Sequence, residues 1–495
     1  MGQENEGKSS GNWKGWGGGQ KKGTGKTEIV IIVLLSVMIV LCAVLIFMKV
    51  MDRNTDRTVR VDPTPSGSAT EGPDQTPGTG TENPTPTSEP TPTPVPPEDW
   101  TLVEYTGRIE HIFTHSLLAF PELSFPAGMK PESIVSSTYF IDCITVKEFK
   151  MLLEKLYQDG YMLVNANDIY EAVTADGITK YEVKSKLMFP QGKKPLILSF
   201  DDVNYYSTKQ GKGMVGKLIL DDSGKVVTYT KMKDGSEVIS DDNEHIPILD
   251  RFVAEHPDFS FNGAKGMLCL TGYDGILGYR TNRASQNKEA EIAAVQPVIQ
   301  ALKNTGWYFA SHSYKHGYMT NYSVNDMKDC AEKFRNEVVP LIGETKLYVF
   351  PYGDWGTRTK AADEITAVRK VLVDYGFTYF AGVGIDWYSK TRNDFANCIL
   401  QDRANIDGTS LLLYGDRLQY YWWDNGNTTD RFPHLNTEEI YDAEGRGGLS
   451  FEKAKIYYHM NKYKDSYEVA KQVLQYMDEH PRVTYADAKK AIAAE

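Results

Sequence analysis

Cysteine is scarce in this chain, five residues in 495, too few for a disulfide framework to hold a protein of this length. Basic charge is in deficit as well. Lys and Arg total 54 against 66 Asp and Glu, a net charge of -12, which excludes a domain built to lie along nucleic-acid phosphates. The run GTGKT at 23–27 has Gln20 where a phosphate-binding loop requires glycine, and no strand precedes it, so no nucleotide site is expected. Glu6 stands where a myristoylation signal needs Ser or Thr. Core-forming residues are not lacking. At 41% hydrophobic and 12% aromatic, the chain can bury a sizeable core, and wholesale disorder is excluded.

The residues are unevenly distributed. Residues 1–28 are rich in Gly, Lys and polar side chains without apolar period, and read as a disordered tail. Residues 29–48 carry no charge and only one hydroxyl, Ser36. Twenty helical residues rise ~30 Å, the thickness of a bilayer's hydrocarbon core. The run is longer than a signal-peptide core and no A-x-A-like cleavage site follows, so an uncleaved transmembrane helix is expected. Flanking charges do not orient it, since Lys14, Lys21, Lys22 and Lys26 precede the span and Lys49, Arg53, Arg57 and Arg60 follow it. The segment after it decides. Residues 49–100 form a linker in which 61–99 hold 11 of the 23 prolines and no Lys or Arg. At ~3.1 Å per residue, this extended spacer reaches roughly 120 Å. A spacer of that reach suits a domain working within a cell-wall layer. The expected topology is a single-pass membrane protein with a cytoplasmic N-terminus and the folded part outside.

From residue 100, apolar strand-like runs alternate with helical periodicity. Strands are expected at 195–200, 266–271, 307–311, 346–350, 377–383 and 409–414, and helices at 246–255, 287–304, 323–339 and 360–375. This alternation predicts parallel βα units, closed as a barrel or doubly wound, with active groups at the C-terminal strand ends. Ser323 with Asp326 predicts a capping box, and Gly376 a helix C-terminus. Residues 214–240 alternate around Asp-Ser-Gly and Asp-Gly turns and predict an inserted β-hairpin. The main domain is placed at 101–435, with a helical C-terminal extension at 436–495.

Three strand ends carry candidate chemistry. Asp201 and Asp202 close the strand PLILSF. His312 and His316, four apart in SHSYKH, would share one side of a helical turn and bind a metal together. One Asp with two His leaves positions open to water, a catalytic rather than a structural ligand set. The turn FPYGDW at 350–355 offers backbone N–H groups to an oxyanion. Cys143, Cys269, Cys330 and Cys398 permit three complete pairings, although Cys269 in an apolar strand and Cys330 on a helix's core face read as buried thiols. The cluster QYYWWDNG at 419–426 suits sugar stacking or core packing equally.

Together these residues resemble the polysaccharide deacetylase family (carbohydrate esterase family 4). Ser199-Phe200-Asp201-Asp202 is similar to its first motif, His312-Ser313-Tyr314-Lys315-His316 to the H-S/T-x-x-H motif, Pro351-Tyr352-Gly353 to the third and Asp386-Trp387 to the fourth. HIFTHSLLAF at 111–120 resembles the family's opening strand. The resemblance spans roughly 108–415. It implies a distorted (β/α) barrel that removes N-acetyl groups from a polysaccharide such as peptidoglycan or an exopolysaccharide. It further implies Asp201 as general base, Asp202, His312 and His316 as metal ligands, and the Tyr352 N–H in the oxyanion site. Asp386 takes the fourth motif's catalytic position, and Pro351 and Trp387 contact the sugar. The implied cofactor is a divalent metal, zinc first, with cobalt, manganese or nickel also compatible.

Three departures stand out. Val203 replaces the first motif's glycine. Val349 replaces the third motif's Arg, and Arg403, from another loop, is the candidate substitute. Tyr414 occupies the slot of the general-acid His after the expected strand SLLLY, and a phenol of ordinary pKa near ~10 is a poor proton donor at neutral pH. Nothing in the spacing selects His434 or His245 instead. Two other readings follow from these losses: a polysaccharide-binding protein on the same fold, or a hydrolase of a different amide or ester.

Overall fold

In the computed structural model, seven strands lie side by side and parallel, in the order in which the chain makes them. They are β1 (Glu110–His115), β2 (Lys194–Asp201), β3 (Met267–Leu270), β4 (Tyr308–Ser311), β5 (Leu347–Val349), β6 (Tyr379–Val383) and β7 (Cys398–Asn405). β7 pairs with β1 through Ala404 and Asn405, opposite Ile112 and Phe113, which closes the ring into a barrel. The structure describes residues 100–356, 362–383, 390–392, 397–414, 437–480 and 483–494, with main chain alone for 362–365, 390–392 and 414. The expected membrane helix at 29–48 and its linker lie outside the described residues. Among the described residues, no helix is long and apolar enough to cross a membrane.

Period-two alternation builds the two layers of the barrel. On β2, Leu196, Leu198 and Phe200 face outward into one core with the helices, while Ile197 joins the inner core with Met267, Tyr308, Leu347 and Ile399. Each such aliphatic side chain contributes roughly 1.5–3 kcal/mol on burial. Helices α1 (Val146–Gln158), α2 (His245–Glu255), α3 (Lys288–Asn304), α4 (Val324–Glu337) and α5 (Ala362–Asp374) connect the strands. α4 starts at the capping box of Ser323 and Asp326 and buries Met327, Cys330 and Phe334. Gly376 ends α5 with φ 96°, a conformation that glycine adopts without strain.

Two expectations are corrected. The stretch 409–414 is not a strand but the helix α6 (Gly408–Tyr414). Its start is fixed by a reciprocal pair: the Ser410 N–H donates to Asp407 Oδ1 (2.7 Å) and the Asp407 N–H to Ser410 Oγ (2.8 Å). Local capping therefore overrides strand propensity, and the barrel closes instead through β7, in the stretch read as a loop. The insertion is likewise not a hairpin but a three-stranded antiparallel sheet, Lys217–Leu220, Val226–Lys231 and Glu237–Ser240. The Asp-Ser-Gly and Asp-Gly turns each make a hairpin of their own, with Gly224 at φ 82° and Gly235 at φ 89°.

Residues 437–449 pack into the outer core of the barrel through Ile440, Tyr441 and Leu449. Arg446 is fully buried there and grips Glu148 of α1 with Nε at 2.7 Å and Nη2 at 2.8 Å. From 451 onward, α7 (Phe451–Tyr463), α8 (Tyr467–Glu479) and α9 (Tyr485–Ile492) form a small core of their own around Val473 and Leu474.

Candidate active site

β2 ends on the paired carboxylates. Inward-facing Asp201 is buried and meets the guanidinium of Arg403 on β7 in a two-pronged contact, Nη1 to Oδ1 at 2.7 Å and Nη2 to Oδ2 at 2.8 Å. Arg403 thus comes from a barrel strand rather than a loop, and its ion pair is fully buried. Its Nε donates to the Gly382 carbonyl at 3.2 Å, and the guanidinium lies 4.0 Å from the Phe113 ring centre. Burial alone would raise the Asp201 carboxyl. Arg403, with His312 and His115, outweighs that and holds it well below the usual carboxylate range.

Asp202 turns its carboxylate away from this pair because its own φ is 62°, so the left-handed residue is the second aspartate and Val203 packs in the core. Asn204 braces the turn by donating to the Thr271 carbonyl at 2.9 Å and accepting from the Thr271 N–H at 3.0 Å. Tyr206 donates its hydroxyl to Asp202 Oδ1 at 2.6 Å. Burial also pushes the Asp202 carboxyl up, but the neighbouring His316 and His312 bring it below its ordinary value.

His312 follows β4 directly. Its Nδ1 lies 3.0 Å from the Val349 carbonyl, which can only accept, so Nδ1 carries the proton and Nε2 is bare. His316 does not share a helical turn with it. The loop bends through left-handed Ser313 (φ 61°) and His316 (φ 51°), and this brings the two rings to 4.9 Å. Cys330 of α4 supports the bend, accepting from the Tyr314 N–H at 3.2 Å and lying 3.1 Å from Ser313 Oγ. One donor atom from each of Asp202, His312 and His316 lies within 4.8 Å of the others. A carboxylate oxygen and two imidazole nitrogens, one already oriented by a carbonyl behind it, fit a divalent ion.

The third strand end supplies the rim. Pro351 is buried and opens a tight turn in which Tyr352 takes φ 59°. Asp354 ties this turn to the histidine loop by accepting from Thr320 Oγ1 at 2.7 Å and from its N–H at 2.9 Å. Tyr352 thereby stacks on Tyr318 (3.9 Å, 8°) and meets the edge of His316 at 4.7 Å. Across the mouth, Tyr273 stacks on Tyr206 at 5.2 Å. Tyr273, Tyr318 and Tyr352 are all exposed.

Residues 279–371 match the polysaccharide deacetylase family model. The resemblance read from the motifs is borne out over the stretch that holds both histidines and the Pro-Tyr-Gly turn. Asp201, Asp202 and Arg403 lie outside the matched residues. No curated protein matches the chain. Among solved structures, it is similar to the Streptococcus pyogenes deacetylase PplD in complex with acetate, at 12% identity and TM-score 0.34 over 61% of this chain and 93% of that one. It is also similar to a Bacillus anthracis protein named as a polysaccharide deacetylase, at 10% identity and TM-score 0.33 over 61% and 66%. A Mycobacterium smegmatis protein so named gives 14% identity and TM-score 0.22 over 50% and 76%.

Among the described residues, the other expected positions do not join this site. Asp386, Trp387, His434 and the 419–426 cluster lie outside the described residues. Tyr414 ends helix α6, not a strand, so the place assumed for it after a barrel strand does not exist. His245 is buried on α2, 2.8 Å from Thr114 Oγ1 and paired with Glu244, outside the barrel. All four described cysteines are buried free thiols.

His115 was overlooked in the sequence. It ends β1 in register with Asp201, and its Nδ1 lies 2.9 Å from the Asp142 carbonyl, so Nδ1 carries a proton here as well. It is a half-buried imidazole at the C-terminal end of a barrel strand, beside the base. Strand parity in HIFTHS was the available signal, since His115 shares the inward face with His111.

These histidines give stability a sign with pH. His312 is pushed down to about 4, chiefly by burial, against an unfolded value near ~6.5. His111 is also held well below its ordinary value by burial and Arg403. As pH falls from about 6.5 to 4, the unfolded chain takes up protons that the fold refuses, and stability drops by roughly 2–3 kcal/mol for His312 alone. Asp201 and Asp202 act lower, because their depressed carboxyls lose their contribution only below the ordinary Asp value of ~3.9. Urea unfolding of chelator-stripped protein at pH 7 and 4.5 should show this loss, and His312→Gln should lose less. An equal pH slope in the variant would contradict the assignment.

Proposed function

We propose that this chain is a metal-dependent deacetylase that removes N-acetyl groups from a cell-wall or surface polysaccharide. The observation that carries the reading is the pairing at one barrel end of a carboxylate kept ionised by Arg403 with a separate three-donor cluster, Asp202, His312 and His316. Asp202, His312 and His316 would hold a divalent ion, zinc by first preference, which when bound would supply Lewis acidity toward a water and the acetyl carbonyl. Asp201 takes the proton of the attacking water as the new C–O bond forms. The Tyr352 N–H faces the developing oxyanion. His115, in its protonated form, gives a proton to the departing amine nitrogen as the C–N bond breaks, which releases acetate and a free amino sugar. In this reading the general acid comes from the first barrel strand, and Tyr414 is not needed for it.

Glycan rather than another amide is favoured by the exposed tyrosines on both sides of the mouth, whose rings present apolar faces with polar tips. The apolar run at 29–48, read as a membrane anchor, and the proline-rich segment after it would hold the domain outside the cell, within reach of such a polymer.

The test is acetate release from N-acetylated glycans, measured untreated, after chelation and after metal return. Release that stops on chelation and resumes with metal is the expected result. Glycan binding without acetate from any substrate would leave a binding protein, and the enzyme reading would be withdrawn.

A further inference from the structure

The interior of the barrel beneath Asp201 is unexpectedly polar. Arg403 Nη1 donates to Ser199 Oγ at 3.2 Å, and Ser199 Oγ lies 2.8 Å from His111 Nε2. His111 Nδ1 is 3.3 Å from the Tyr379 hydroxyl, which donates to Gln401 Oε1. Gln401 Nε2 donates in turn to the Ile109 carbonyl at 2.9 Å. Ser199, His111, Tyr379, Gln401 and Arg403 are all fully buried.

The donors and acceptors of this chain fit together in one direction. The Ile109 carbonyl can only accept, which fixes the Gln401 amide with its oxygen toward Tyr379. The Tyr379 proton goes to that oxygen, so the Tyr379 oxygen accepts from His111 Nδ1–H. A neutral ring protonated at Nδ1 has a bare Nε2, which accepts the Ser199 proton at 2.8 Å in preference to the Ile112 carbonyl, the other acceptor in reach at 3.3 Å. The Ser199 lone pairs are then left to receive Arg403. His111 is held neutral by its burial and by Arg403. Reversing the Gln401 amide would set its oxygen against the Ile109 carbonyl, two buried acceptors facing each other at the desolvation penalty of an unmade bond.

We propose that His111 is a positioning residue for the base, acting through Ser199 to hold the Arg403 guanidinium in its two-pronged contact with Asp201. Of the three, Ser199 opens the first motif and His111 begins the stretch that resembles the family's opening strand, while Arg403 stands outside the motifs. The kinetic consequence rests on the deacetylase reading, whereas the structural consequence does not.

The test compares the full chain with His111→Leu, His111→Gln and Ser199→Ala, each checked for thermal unfolding and metal content. In spectra of arginine-selective 15N-labelled protein, the Arg403 Nη groups should be separately resolved and slow to exchange in the parent. They should average in His111→Leu and Ser199→Ala, and stay resolved in His111→Gln, whose amide can accept from Ser199 and donate to Tyr379. On an acetylated glycan, kcat should fall about 10-fold in His111→Leu and Ser199→Ala with KM within about twofold, and recover in His111→Gln. Arg403 signals unchanged in His111→Leu, or equal loss in the Leu and Gln variants, would overturn the proposal. If the parent itself releases no acetate, the enzymatic reading falls, while the Arg403 spectra still decide the positioning role.

Discussion

Replacing Asp201 by Asn should lower kcat for acetate release by about 10²–10⁴-fold, the range that a positioned general base contributes, and leave metal content at the parent level. The separation of roles is geometric. Asp201 spends both oxygens on Arg403, while the donors converging with His312 and His316 come from Asp202. Asn cannot take a proton from water, but it preserves shape and one acceptor toward Arg403. The measurement pairs turnover with metal per chain. Metal lost together with activity would assign Asp201 to the metal instead and reverse the two aspartates.

Arg403→Met should have the second large effect, and on two quantities at once. Removing one partner of a fully buried ion pair leaves an uncompensated charge, a loss of about 3–5 kcal/mol that appears as a lower midpoint in urea at pH 7. The surviving carboxylate then loses its principal depressing neighbour, so burial, which raises it, prevails. A larger share of Asp201 is protonated near neutrality, and the acid limb of kcat/KM moves to higher pH, with partial recovery of activity in alkaline buffer. Arg403→Lys should fall between, since an ammonium supplies the charge without the planar fork. A variant with parental stability and an unmoved acid limb would show that another cation orients the base.

Much of this centre was legible in the sequence because it sits on the strongest signals the chain offers. PLILSF, WYFAS and KLYVF are short apolar runs bounded by polar turns, and each ends where chemistry begins, at Asp201, His312 and Pro351. The capping box at Ser323 was readable because it is local. The misreadings arose where apolar composition masked a local cap or where a distant partner decides the outcome. SLLLY looks like a strand by composition, yet the Asp407–Ser410 pair starts a helix and the closing strand is the more polar CILQDRAN. That strand is polar because alternate residues, Gln401 and Arg403, face a barrel interior that is itself polar. Apolar alternation therefore fails as a guide there. His115 was missed for the same reason. Its value lies in its register with Asp201 across two strands 86 residues apart, which no local pattern announces. The left-handed residues Asp202, Ser313, His316 and Tyr352 were equally unreadable, since even Asp and His, which enter the left-handed region more readily than most, do so at only a few of their positions.

The central claim is hydrolysis of an acetamido group, and the most direct measurement counts both products of that bond. Acetate and new primary amine should be quantified in the same reaction of the metal-loaded protein with an N-acetylated glycan. Equal amounts of the two, rising together and both abolished by Asp201→Asn, are the predicted result. Acetate without amine would identify an ester as the substrate, and neither product from a glycan that demonstrably binds would contradict catalysis altogether.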